Sequence, residues 1–176
     1  MHEATLHTNN CFITLTYSDS NLPNFGSLRK RDFQLFMKRL RKHFHPSKIR
    51  FFHSGEYGDV TYRPHYHALL FGVHFTDQYH WSTRNGHDIF RSSTLEKLWG
   101  LGNCEIGTVT FQSAAYVAKY CQKKLNNEEA HERYRRIDPQ TGELVPVEHE
   151  YATMSRRPGI GRGYYEKFGE TMQRRS

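Results

Sequence analysis

Two runs rich in β-branched and aromatic residues, 49–56 (IRFFHSGE) and 65–73 (HYHALLFGV), flank a stretch at 57–64 made of turn formers. That arrangement predicts an antiparallel hairpin, and a hairpin fixes which side chains share a face. Period-two alternation in His65-Tyr66-His67 puts both imidazoles on one face, about 7 Å apart along the strand. If Glu56 lies opposite His65, then Ser54 lies opposite His67 and all four project to the same side. A slip of one residue would move Glu56 to the other face.

Two neutral imidazoles and a carboxylate can share a divalent cation, so His65, His67 and Glu56 are candidate metal ligands. Three ligands leave about three of six octahedral positions open, which a catalytic cation needs to hold a phosphate oxygen. Zinc would tolerate the same set. Tyr66, Ala68 and Leu70 supply the opposite, packing face. A bare His-x-His on a strand can also merely pack and hydrogen-bond; the acid at hairpin distance favours the cation. The other histidines have no comparable partner and read as surface or packing residues, with His53 on the face opposite Glu56.

Further elements surround the hairpin. Residues 11–17 (CFITLTY) read as a strand. Ser27 is placed to cap a helix whose apolar residues Leu28, Phe33, Phe36, Met37, Leu40 and Phe44 recur at helical spacing, with Pro46 as its stop. A short helix at 94–99 ends at Gly100, a strand follows at 105–111, and 112–125 (QSAAYVAKYCQKKL) reads as a helix. Strands and helices joined partly by a hairpin predict an α+β domain, a mainly antiparallel central sheet flanked by helices. One domain over 9–170 accounts for the length, with 126–150 a protruding or mobile loop around the Asp138-Pro139-Gln140-Thr141-Gly142 turn.

The second chemical feature is in the 112–125 helix. Tyr116 and Tyr120 are one turn apart on one face, and Lys119 and Lys123 repeat that spacing. Ala114, Ala118, Cys121 and Leu125 form an apolar stripe, with the tyrosines nearly opposite. A phenol titrates near 10 and is a poor nucleophile unaided. Nearby ammonium groups favour phenolate and hold a phosphate, and a cation on that phosphate makes phosphorus more electrophilic. Together these parts suit phosphoryl transfer from a DNA phosphate to a tyrosine oxygen. A Tyr pair at this spacing is otherwise a common structural feature, and the histidine strand is what gives it chemical meaning.

Charge points to the same partner. Lys plus Arg is 25 against 18 for Asp plus Glu, a net +7. The excess is concentrated at 29–42 and near the C-terminal end, a distribution that suits a polyanion such as nucleic acid or a solvated basic face. Arg63, Arg156 and Arg157 are candidate phosphate contacts. Aromatics at 14% exclude a disordered tail. No apolar run is long enough to cross a bilayer, and no export signal opens the chain, so membrane and secreted classes are not expected. Three scattered cysteines fit buried thiols in a reducing compartment.

The order of these motifs resembles the rolling-circle replication initiators of the two-tyrosine class. Phe12-Ile13-Thr14-Leu15-Thr16 looks like their first motif. Pro64-His65-Tyr66-His67-Ala68-Leu69-Leu70-Phe71 resembles their His-hydrophobic-His (HUH) motif, and Tyr116-Val117-Ala118-Lys119-Tyr120-Cys121-Gln122-Lys123 their doubled Tyr-x-x-Lys motif. The flanking segments GSLRKRDFQLFMKRLRK, GEYGDVTYRPHYHALLFG and MSRRPGIG are similar to those of replication proteins of Microviridae (gokushovirus-type) single-stranded DNA phages.

The resemblance implies an HUH endonuclease fold and a cofactor of Mg²⁺ or Mn²⁺ on His65, His67 and, as third ligand, Glu56. It implies Tyr116 and Tyr120 as nucleophiles assisted by Lys119 and Lys123. The activity implied is nicking of single-stranded origin DNA to a 5′-phosphotyrosine adduct with a free 3′ hydroxyl, and later rejoining. The implied setting is the cytoplasm of a bacterial host, the protein being phage-encoded, acting as a monomer with host polymerase and helicase. The competing readings are a metal-dependent hydrolytic nuclease without a covalent intermediate and a non-enzymatic DNA-binding module.

Overall fold

The computed structural model describes residues 1–122 and 132–173, with side chains described to 119 and over 132–169. It is an α+β fold in which a seven-stranded antiparallel sheet carries helices on both faces. The strands are β1 (Asn10–Thr16), β2 (Arg50–Tyr57), β3 (Pro64–Phe71), β4 (Tyr79–Arg84), β5 (His87–Arg91), β6 (Cys104–Gly107) and, after a short separate hairpin of β7 (Arg135–Ile137) with β8 (Leu144–Pro146), β9 (Tyr151–Met154). Their order across the sheet is β4-β5-β6-β1-β3-β2-β9. The helices are α1 (Lys30–His43), α2 (Ser93–Trp99), α3 (Phe111–Gln122) and α4 (Arg162–Gln173).

Alternation sorts the sheet residues. Ile13 and Leu15 of β1 and Tyr66, Ala68 and Leu70 of β3 face α1 and α2, where they bury against Phe33, Phe36, Leu40, Leu95 and Trp99. Tyr66, between the two histidines, is fully buried there and ties the strand to α1: its hydroxyl donates to the Arg29 carbonyl and accepts from the Arg29 amide. The opposite face carries Phe12, Leu69, Phe71 and Phe52, covered by Val117 of α3.

The structure corrects several boundaries. Ser27 does not cap α1, which begins at Lys30 after Arg29. Buried Tyr57 and Tyr66 hydroxyls take the Leu28 and Arg29 amides, holding that stretch outside the helix, and Ser27 Oγ accepts from the Glu148 amide instead. The strand expected at 105–111 ends at Gly107 because α3 starts early. The Thr110 hydroxyl accepts from the Ser113 amide and the Ser113 hydroxyl from the Thr110 amide, a reciprocal cap. The buried stripe of α3 centres on Val117, packed with Ala114 against the sheet, which rotates the contact face toward Tyr116.

Two elements lay outside the sequence expectation: the β4–β5 hairpin and α4. Residue 125 at the end of the expected helix and 126–131 of the expected loop lie outside the described residues. The N-terminus is pinned by Glu3, which is buried, accepts from Arg50 and from the Gly161 amide, and bonds His7. Cys11 and Cys104 are buried free thiols. Among the described residues no helix is long and apolar enough to cross a membrane.

Candidate metal centre and tyrosine site

Two adjacent strands and one helix build the centre. The β2–β3 register sets Glu56 opposite His65 and Ser54 opposite His67, as the hairpin spacing predicts. The candidate ligand atoms of Glu56, His65 and His67 all lie within 4.8 Å of one another. His67 Nε2 is 3.5 Å from Glu56 Oε1, and His65 Nε2 is 3.9 Å from Glu56 Oε2.

Neighbours orient each ring. His65 Nδ1 lies 3.0 Å from the Arg63 carbonyl, which can only accept, so in the neutral ring Nδ1 carries the proton and Nε2 the lone pair. His67 Nδ1 lies 2.9 Å from the Thr14 hydroxyl, on the residue directly opposite it in β1. The Phe12 ring stacks on His67 at 5.3 Å between centroids. Glu56 is only 1% exposed, and Ser54 Oγ donates to its Oε1 at 3.3 Å.

Burial, with His65 beside it, lowers the His67 pKa to about 3. His67 is therefore a neutral ligand-type imidazole beside a carboxylate, despite a separation that would suit an ion pair. A buried acid and two imidazoles whose Nε2 atoms face it fit a divalent cation, and the second set of hydrogen bonds is the kind that steers metal-binding histidines.

The tyrosine helix reaches this centre. Tyr116 donates from its hydroxyl to Glu56 Oε2 at 2.9 Å and sets its ring edge-on to His67, with 41% of the residue exposed. Phenol, carboxylate and imidazoles thus share one opening. The opening widens between α3 and the β4–β5 turn into a cleft of about 1000 Å³ lined by Phe12, Phe90, Thr108, Gln112 and Tyr116. Arg84 stands at its rim and forks onto Glu105 at 2.7 and 3.1 Å.

The other sequence candidates divide. Tyr120 sits one turn beyond Tyr116 in α3, but its side chain and all of Lys123 lie outside the described residues. Lys119 is half-buried and makes no hydrogen bond or ion pair among the described residues. Arg63 donates to the Tyr17 carbonyl and pairs with Asp19, while its own carbonyl orients His65. Arg156 and Arg157 are exposed beyond β9, and Arg156 lines a groove with α1 on the far face of the sheet. Sequence reasoning missed the role of Thr14 as the partner of His67; the signal was its parity in β1, readable only once β1 is known to pair with β3.

The model of the replication-associated protein ORF2 family matches residues 10–125. The chain belongs to that family. It is 34% identical to the replication-associated protein VP4 of Bdellovibrio phage phiMH2K over 96% of this chain and 52% of that protein. It is 35% identical to the replication-associated protein ORF2 of Spiroplasma virus 4 over 66% of this chain and 39% of that protein. With the replication-associated protein ORF4 of Chlamydia phage 1 it shares 32% identity over 70% of this chain and 33% of that protein. The likeness to phage replication proteins read from the motifs is thereby borne out, and the chain spans about half or less of these relatives' lengths. No solved structure matches it.

Proposed function

We propose that this chain is the nicking and joining domain of a rolling-circle replication initiator, acting on single-stranded phage origin DNA inside the bacterial host. The observation that carries this reading is the Tyr116 hydroxyl, bonded at 2.9 Å to the same carboxylate that closes the imidazole pair. His65 Nε2, His67 Nε2 and Glu56 would hold Mg²⁺ or Mn²⁺, which neutralises charge on a phosphate oxygen and raises the electrophilicity of phosphorus.

The chain's own residues supply the rest. Glu56 Oε2 holds the phenolic proton and is positioned to take it as the tyrosine oxygen attacks phosphorus. One P–O bond forms to tyrosine and the P–O3′ bond breaks, the 3′ oxygen taking a proton from water. The number of phosphoester bonds is unchanged, so rejoining is the same exchange run backward. Tyr120, one turn away on α3, is the second nucleophile, and Lys119 and Lys123 steady the phosphate charge. Host polymerase extends the free 3′ hydroxyl and host helicase separates the strands.

The test is to incubate end-labelled single-stranded origin DNA with protein and Mn²⁺, denature, and look for labelled protein. The expected result is a denaturation-resistant adduct that is lost in His65→Ala with His67→Ala and in Tyr116→Phe with Tyr120→Phe. Metal-dependent cutting that leaves no label on protein would instead make the chain a hydrolytic nuclease. Salt-dependent binding with no cutting would make it a binding module.

A further inference from the structure

The face of the sheet opposite the metal centre carries a second concentration of positive charge that the nicking chemistry does not use. A groove of about 420 Å³ runs between α1 and β9, floored by Phe33, Phe51, His53 and Tyr151. A cleft of about 800 Å³ continues it past the end of α1, and the two share Arg41, Phe51 and Arg156. Arg31, Lys38, Arg41, Lys48, Arg156 and Arg157 line this track and all are exposed. Among the described residues none of the six forms an ion pair, whereas neighbouring Lys30 is within 3.6 Å of Glu148.

Arg31, Lys38 and Arg41 lie at i, i+7 and i+10 on α1, one stripe about 15 Å long at 1.5 Å per residue. Six exposed cations held along one line without counter-charges match a phosphodiester backbone. Two observations say which kind. The Arg41 guanidinium lies 5.5 Å over the Phe51 ring, and the Lys30 ammonium 5.0 Å over the Tyr151 ring. With cations over those rings, the track offers charge but no open platform for stacking unpaired bases, which is what single-strand sites use. His53 and Phe33 in the floor belong to the α1 side of the sheet, and Glu56 to the other, so a phosphate held here is not the one beside Tyr116.

We propose that the α1–β9 track is a second DNA site, which grips the backbone of duplex DNA while the metal centre works on a single strand. This inference goes beyond the nicking reading and uses none of its chemistry.

The experiment measures binding of a mixed-sequence DNA duplex by fluorescence anisotropy over a range of salt, for the wild type and for Arg31→Gln, Lys38→Gln, Arg156→Gln combined. The expected result is weaker duplex binding, with the slope of log K against log salt reduced by about one for each cation removed. The same variant forms the wild-type amount of adduct on a short single-stranded oligonucleotide. Arg135→Gln, exposed on β7, leaves duplex affinity unchanged. Unchanged duplex binding in the triple variant overturns the proposal. So does an equal loss for single-stranded and duplex DNA, which would make the track a general strand path. Equal competition by poly-glutamate would make it an acidic-polypeptide surface. Failure of the wild type to form any adduct would count against nicking and leave the duplex measurement standing.

Discussion

Tyr116 and Glu56, 60 residues apart in the chain, are joined by a 2.9 Å hydrogen bond from the phenol to the carboxylate. The bond couples the pose of a helix to a strand pair, because α3 is held on the sheet by Val117, which is fully buried against Leu69 and Phe71. Whatever moves α3 therefore moves the phenol relative to the imidazoles.

Val117→Ala tests that coupling. Removing two buried methyl groups costs about 2 kcal/mol including the cavity left behind. Urea unfolding is expected to show that loss, and adduct yield is expected to fall while Mn²⁺ affinity, set by β2 and β3, holds. Equal loss of both would mean that α3 is part of the metal site rather than its neighbour.

Thr14→Val removes the hydroxyl partner of His67 Nδ1 without changing side-chain volume much. Loss of such a partner costs about 10–100-fold in metal affinity or activity. Titration of Mn²⁺ by calorimetry is expected to show a drop in this range with thermal stability little changed. Wild-type affinity would mean that Thr14 does not set the ring.

His53 gives the fold an acid-sensitive element away from the metal site. It is buried, stacked on Phe33 at 3.5 Å, and burial lowers its pKa to about 3 from the ordinary 6.5. Below about 6.5 the unfolded chain binds a proton that the folded chain refuses until about 3, so its stabilising effect is full above that range and is lost as the pH falls through it. Urea midpoints measured from about pH 7 to about pH 4 are expected to decline, and less steeply in His53→Phe. Parallel declines in both proteins would acquit His53.

Much of this was legible because strand parity is a rigid rule. Once 49–56 and 65–73 are read as a hairpin, period-two alternation leaves Glu56, His65 and His67 on one face and His53 and Tyr66 on the other, as observed. The start of α1 was not legible, since Ser27 has the right chemistry for a cap and loses the role to tyrosines that arrive from β2 and β3. The β4–β5 hairpin escaped notice because its strands are largely exposed and show no clean apolar alternation. In α4, Gly163 and Gly169 masked a helix that docks on the N-terminal segment, where Tyr164 stacks on His2 at 4.2 Å.

Glu3→Ala probes that docking. It leaves Arg50, largely buried, without its carboxylate and the Gly161 amide without its acceptor. Breaking a buried pair on one side costs about 3–5 kcal/mol, so thermal unfolding is expected to fall sharply while Mn²⁺ affinity persists below the new midpoint. A neutral effect would mean that the N-terminal clamp contributes nothing to the fold.

Peptide mapping of the protein–DNA adduct addresses the central claim most directly. Protease digestion followed by mass spectrometry is expected to find nucleotide mass on the peptide holding Tyr116 and Tyr120, shifting wholly to Tyr120 in Tyr116→Phe. A nucleotide linked to a residue outside α3 would contradict the account.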